Sequence, residues 1–276
     1  MSGEHIVDLG GERFGILSGA SGDRASGVCL ILFNAGFIHR SGPFRLHARL
    51  SRQLAAAGHA AFRFDAPGIG DSIARSDQPL LQTMLASMDV LEHTFGYSRF
   101  VVGGLCSAAD LGWQVAIADP RVVGLLSIDG LARQGTWYRI ARLQRALRKS
   151  PREWANTLFR HARAAAQVHI ADDSLRDWPA PGTERGQFAA LMQRRVELFS
   201  LFTGGASYFL HARQFEETYG RAVNAASVAF HHWPQCDHTF FAESDRRALI
   251  RVLADWMDHR FGRYHERADP SGPGVG

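Results

Sequence analysis

Val28-Cys29-Leu30-Ile31-Leu32-Phe33 is an unbroken apolar run of strand length. Such runs mark a strand buried on both faces of a parallel sheet. Leu46, Leu50 and Leu54 then recur at helical spacing, with Pro43 placed to open that helix and Gly58 to close it. His59 to Phe64 reads as a second strand, ended by the Pro67-Gly68 turn, and Leu80 to Leu91 as a helix. Phe100-Val101-Val102 begins a third buried strand, Ser107 to Ala118 a helix stopped by Pro120, and Val122 to Ile128 a fourth strand. Ahead of all these, Ile6 to Leu17 is broken by Gly10-Gly11, which predicts a hairpin.

Strands alternating with helices predict an α/β fold with a mostly parallel sheet and right-handed crossovers. The alternation stops from Leu131 to Arg195, where only helix-like segments and the Pro179-Ala180-Pro181 loop occur. This stretch, residues 131–195, is expected to be an inserted helical cap. Strand patterns resume at Val196 to Thr203 and Ala226 to Trp233, with a helix over Phe209 to Thr218 between them. The last helix, near Ser244 to Arg260, carries the apolar stripe Leu249, Val252, Leu253, Trp256 and Met257. The core is therefore expected to comprise residues 1–130 and 196–265, followed by a flexible Pro/Gly-rich tail over 266–276.

With 46% apolar and 21% charged residues in 276, the chain has the composition of a folded globular protein. No apolar run approaches the roughly 18 residues of a membrane span. Met1 to Leu9 includes Glu4 and Asp8 and lacks the zones of a signal peptide, so a cytoplasmic location is expected. Three cysteines do not make a disulfide framework. The net charge is +4, and 30 of the 31 basic residues are arginine. Nine basic residues against the single acid Glu153 lie between Arg133 and Arg163. They read either as a solvated helix face or as a surface attracting an anionic substrate or an acidic carrier. No nucleic-acid motif accompanies them, so no nucleic-acid partner is expected.

The sharpest chemical feature is Gly103-Gly104-Leu105-Cys106-Ser107-Ala108-Ala109, between a buried strand and a helix. A nucleophile elbow occupies that context, and its strained turn needs small residues two before and two after the nucleophile. Cys106 has Gly104 and Ala108 in those places; Ser107 would have Leu105, which clashes. Cys106 is therefore the expected nucleophile, and the positive end of a helix dipole favours a thiolate placed there. Three further segments follow strands: Asn34 to Pro43, Asp65 to Ser72, and Cys236-Asp237-His238-Thr239-Phe240. His231, His232, Cys236 and His238 do not make a convincing metal site, because strand alternation sends adjacent histidines to opposite faces. Gly68-Ile69-Gly70 lacks the third glycine of a dinucleotide fingerprint. No metal and no cofactor are expected.

In this order of motifs, over about residues 25 to 262, the chain resembles the α/β-hydrolase superfamily. Within it, the Asn34–Ser72 segment and the Gly-Leu-Cys-Ser elbow are similar to the compact bacterial group of serine-aminopeptidase-type and exosortase-system-associated hydrolases. The resemblance implies Cys106 as nucleophile and His238 as its general base. It also implies that the backbone N–H groups of Phe37 and Ser107 form the oxyanion hole. His39 and Arg40 read either as anion ligands or as fixers of that loop. The chain departs from the family pattern after the strand ending at Thr203: Gly204-Gly205-Ala206-Ser207 contains no acid. Either Asp129 supplies the third carboxylate, or the site is a Cys–His dyad with Ser207 orienting the imidazole.

The implied function is hydrolysis of an ester or thioester, with a small-molecule acyl substrate, anionic or carrier-bound. Alternatives are acyl transfer through the same Cys106 intermediate in a biosynthetic pathway, or a non-catalytic binding protein that keeps only the fold. Trp137, Tyr138, Trp154 and Phe159 either line an acyl pocket or pack the cap onto the core.

Overall fold

The computed structural model describes residues 3–19, 27–73, 78–147, 176 and 178–262. The expected hairpin forms from β1 (Glu4–Gly10) and β2 (Arg13–Ser18). The four strands expected next are β3 (Val28–Leu32), β4 (Ala60–Phe64), β5 (Arg99–Leu105) and β6 (Val122–Ile128), and the late pair is β7 (Glu197–Thr203) and β8 (Val228–Trp233). They form one sheet in the order β1-β2-β4-β3-β5-β6-β7-β8. Only the β1–β2 and β2–β4 pairs are antiparallel; every pairing from β4 through β8 is parallel.

Among the described residues the α-helices are α1 (Leu46–Ala57), α2 (Leu80–Phe95), α3 (Ser107–Ala118), α4 (Thr136–Leu147), α5 (Thr183–Gln193), α6 (Arg213–Tyr219) and α7 (Glu243–Phe261). Alternation along β3 divides the core. Val28, Leu30 and Leu32 pack on one face with Leu50 and Leu54 of α1 and Leu253 and Met257 of α7. Cys29, Ile31 and Phe33 face the other layer, with Met88 of α2, Trp113 of α3, Phe188 of α5 and Phe215 of α6. Removing a side chain of this kind from water contributes about 1.5–3 kcal/mol. Among the described residues no helix is long and apolar enough to cross a membrane.

Of the stretch expected to form a cap, α4 and α5 are described, while 148–175 and 177 lie outside the described residues, as does the tail over 266–276. α5 belongs to the core layer: Phe188 stacks on Tyr219 at 4.8 Å and on Trp113 at 6.2 Å. Trp137 of α4 stacks on His211 at 4.8 Å beneath the Arg213 guanidinium, so its face is occupied by packing. Trp154 and Phe159 fall outside the described residues. Because β3 and β5 to β8 run parallel, the segments that leave their C-terminal ends gather along one edge, where ligands bind in open parallel sheets.

Candidate active site

Cys106 joins β5 to α3 with φ 59° and ψ −123°, a conformation that costs an L residue roughly 1–3 kcal/mol. Its N–H donates to the Ile128 carbonyl at 2.8 Å, which pins the turn to the neighbouring strand. The bend admits no bulk around it. A Cβ on Gly103 would lie 2.1 Å from the Leu126 carbonyl oxygen, and one on Gly104 would lie 3.0 Å from the Ala108 Cβ. The small residues expected two before and two after Cys106 thus face each other. Ser107 does a different job with its hydroxyl, which accepts the Gly36 N–H at 2.8 Å and ties the loop after β3 to the start of α3.

That loop is held from beneath by Asp65, which is 1% exposed. Asp65 accepts from the Asn34 amide (3.0 Å), the Arg40 N–H (2.6 Å) and the Asp71 N–H (3.2 Å), and it pairs with the Arg40 guanidinium. Arg40 also reaches Asp71 at 2.7 Å, holding the Asp71 carboxyl below its usual range. His39 lies 3.3 Å from Asp71 and 3.0 Å from the Ser41 hydroxyl. His39, Asp65 and Asp71 lie close enough to share a cation. The buried guanidinium of Arg40 already supplies the positive charge there, so His39 and Arg40 fix the loop. The Phe37 side chain is 86% exposed, and its N–H meets no acceptor among the described residues. The Ser107 N–H opens α3, where first-turn amides lack intrahelical acceptors. Both expected oxyanion donors therefore belong to the two segments that the Gly36–Ser107 bond ties together.

His238 follows β8. Its Nδ1 lies 2.6 Å from the Asp129 Oδ2, and the Cys106 side chain is its other interacting neighbour. These two contacts, Asp129 first, hold the imidazolium pKa up at about 10 against partial burial. Asp129, fully buried at the end of β6, also accepts from the Thr203 N–H (2.6 Å) and hydroxyl (2.7 Å). Thr203, Asp129 and His238, from the ends of β7, β6 and β8, thus form one hydrogen-bonded set beside Cys106 at the end of β5. Ser207 is exposed and makes no hydrogen bond to His238; the alternative in which it orients the imidazole is corrected, because Asp129 occupies Nδ1. The missing acid after β7 has a steric counterpart. A Cβ on Gly205 would fall 2.3 Å from the His238 backbone nitrogen, and one on Gly204 would fall 2.0 Å from the Pro234 carbonyl oxygen. The histidine loop rests directly on this glycine pair.

The other candidates do not join the site. His231 packs on Phe199 at 4.9 Å and His232 meets Phe209 edge-on at 5.2 Å. Burial pushes the Cys236 thiol up to about 12, and that of the fully buried Cys29 higher still.

Sequence reasoning overlooked the cation beside the sulfur. Arg176 places Nη1 3.5 Å from Cys106 Sγ and 3.3 Å from the Tyr208 hydroxyl, and Nη2 3.0 Å from the Asp129 carbonyl oxygen. The same guanidinium grips both carboxylate oxygens of Asp110, through Nε and through Nη2 (2.9 Å). Tyr208 donates to the Asp129 and Gly130 carbonyls at 2.5 and 2.9 Å. Asp110, four residues after Cys106 in the first turn of α3, was the one legible sign of this second layer. Arg176 is one arginine among 30 and carries no local signature.

No family model matches the chain, and no curated protein matches it in sequence. Solved structures share its fold. An alpha-beta serine hydrolase homologue from Coxiella burnetii superposes with a TM-score of 0.54 at 15% identity, covering 92% of this chain and 97% of the other. A dienelactone hydrolase from Anabaena variabilis gives 0.54 at 14% identity, over 94% and 98%. The esterase domain of a Rhodothermus marinus protein gives 0.52 at 14% identity, over 95% and 99%. The chain has the α/β-hydrolase fold.

Proposed function

We propose that this chain is a cysteine-dependent hydrolase of esters or thioesters, acting on a small-molecule acyl substrate. The observation that carries the reading is His238, held at Nδ1 by the buried Asp129 carboxylate and interacting with the Cys106 side chain at the strand-to-helix bend. The likeness in fold to a dienelactone hydrolase and to an esterase domain supports it.

In this reading the Cys106 sulfur reacts as a thiolate, with its proton on His238. The sulfur attacks the acyl carbon, and the carbonyl oxygen takes the developing charge. In this reading the Phe37 and Ser107 N–H groups receive that charge; each such donor is worth about 3 kcal/mol in the transition state. The carbon–leaving-group bond then breaks, and the His238 proton goes to the departing oxygen or sulfur. In the acyl-enzyme the sulfur is neutral, so one of the two contacts that raise the imidazole pKa has gone. Neutral His238, steered by Asp129, takes a proton from water; the hydroxide equivalent attacks, and the carbon–sulfur bond breaks to regenerate the thiolate. Asp129 keeps the ring's other nitrogen protonated and correctly turned.

Turnover of an activated thioester by the wild type and by Cys106→Ala tests the proposal, with the acid product quantified. Loss of turnover in the variant is the expected result. Turnover unchanged by the substitution would overturn it, and formation of an acylated acceptor in place of the acid would redirect it to acyl transfer.

A further inference from the structure

A carboxylate in the first turn of α3 is an awkward neighbour for a thiolate at the same helix start. Asp110 is 6% exposed and lies one turn from Cys106, so its charge is little screened by water. Left alone it would repel a negative sulfur and weaken the favourable end of the helix dipole. Arg176 answers both problems. Its side chain is 6% exposed, and the guanidinium is clamped on Asp110 by two bonds from one edge. The opposite edge turns Nη1 towards Cys106 Sγ, at a distance suited to an N–H···S contact. The Asp129 carbonyl and the Tyr208 hydroxyl take further donors, and the Trp178 and Tyr208 rings lie 5.2 and 5.6 Å from the guanidinium carbon. No rotation is left to it.

We propose that Arg176 is a catalytic residue of this site: its guanidinium is a second cation for the Cys106 thiolate, and Asp110 is the positioning residue that fixes it. This deepens the hydrolase reading and rests on it. The charged groups facing the sulfur are then His238 from the loop after β8, Arg176 from the segment before α5, Asp110 from α3 and Asp129 from the end of β6, with Tyr208 behind. The guanidinium gives up no proton in any step. It stabilises the sulfur whenever that atom is the nucleophile or the leaving group, so both halves of the reaction depend on it. Lysine is a poor substitute, because one ammonium cannot grip Asp110 at two points while also facing the sulfur.

The test is the rate of Cys106 alkylation by iodoacetamide from pH 5 to 10, followed by intact mass, in the wild type, Arg176→Gln and Asp110→Asn. A doubly substituted Asp110→Asn/Arg176→Gln protein removes the pair together and avoids an unpaired buried charge if Arg176→Gln alone fails to fold. At pH 7, alkylation of Arg176→Gln is expected to fall about tenfold, with the rate profile moved to higher pH, which is the signature of about one unit of lost thiolate preference; the double variant, which also loses the repelling carboxylate, is expected to react more slowly than Asp110→Asn. Asp110→Asn is expected to lower the rate less, because the cation remains but is less firmly held. Alkylation unchanged in Arg176→Gln, or no slower in the double variant than in Asp110→Asn, would overturn the proposal, and faster alkylation of Arg176→Gln would assign Arg176 a shielding role instead. Alkylation reports on the thiol whether or not it turns over an ester, so failure of the hydrolase reading, seen as unchanged turnover in Cys106→Ala, is separately visible.

Discussion

Asp129 Oδ2 lies 2.6 Å from His238 Nδ1, joining residues 109 positions apart in the chain. The carboxylate comes from the end of β6, one strand away from the β7 end where the superfamily pattern led us to look for it. Its other lone pairs are taken by Thr203, the last residue of β7. The strand that lacks the acid thus helps to hold the acid supplied by its neighbour.

Asp129→Asn should lower turnover of an activated ester by about a hundredfold. A serine triad loses roughly 10⁴-fold when this residue can no longer set the histidine tautomer, and a thiol needs less activation than a hydroxyl. Asp129→Ala should in addition lower stability by about 1–3 kcal/mol in urea unfolding, since two Thr203 donors lose their buried acceptor. Turnover within threefold of wild type in Asp129→Asn would remove Asp129 from the mechanism.

Placing an acid where the superfamily usually has one should not rescue this loss. Asp129→Asn/Gly205→Asp is expected to be no more active than Asp129→Asn, because any Cβ at position 205 meets the His238 backbone at 2.3 Å. Gly205→Asp alone should cost activity by shifting the histidine loop. Recovered turnover in the double variant would show that the loop yields to the new side chain.

The His238 imidazolium gives stability a definite pH dependence. Its folded pKa of about 10 stands above the ordinary 6.5, so its contribution is complete below pH 6.5 and is lost as pH rises through about 10. The urea midpoint of the wild type should exceed that of His238→Gln at pH 6, and the gap should narrow by pH 10. A gap that stays constant over this range would mean that the ring is not held in its charged form.

Asp65→Ala should be destabilising, by about 3 kcal/mol in urea unfolding, because it takes from the buried Arg40 guanidinium one of its two carboxylates and leaves the Asn34, Arg40 and Asp71 donors without this acceptor. The milder Asp65→Asn should retain the fold better and still lower turnover by loosening the Phe37 loop. A stability change below about 1 kcal/mol in Asp65→Ala would place the anchor of that loop elsewhere.

The sequence made much of this legible because local and global signals agree. The Val28–Phe33 run, the glycines before Cys106 and the short segments after each strand all dictate the same parallel sheet and the same active edge. Cys106 could be told from Ser107 by steric reasoning alone, since only one register puts Gly104 opposite Ala108. His238 and the Phe37 loop were placed by family resemblance. Asp129 was one of two alternatives, because its role depends on whether the β8 loop settles on Gly204-Gly205, a tertiary contact that no local pattern reports. Arg176 was invisible for a plainer reason. A guanidinium that crosses from a distant segment to Asp110 leaves no periodicity, and 29 other arginines surround it in the sequence. Within the stretch expected to form a cap, Phe188 of α5 belongs to the core, stacked between residues of α3 and α6, a long-range contact that local periodicity does not report.

The account is tested most directly by trapping the acyl-enzyme. The protein is mixed with an excess of an activated thioester, quenched in acid within seconds, and weighed intact. One added acyl group is expected, located on the peptide carrying Cys106, absent from Cys106→Ala, and longer-lived in His238→Gln. No adduct on the wild type, or the same adduct on Cys106→Ala, would contradict a mechanism that passes through this sulfur.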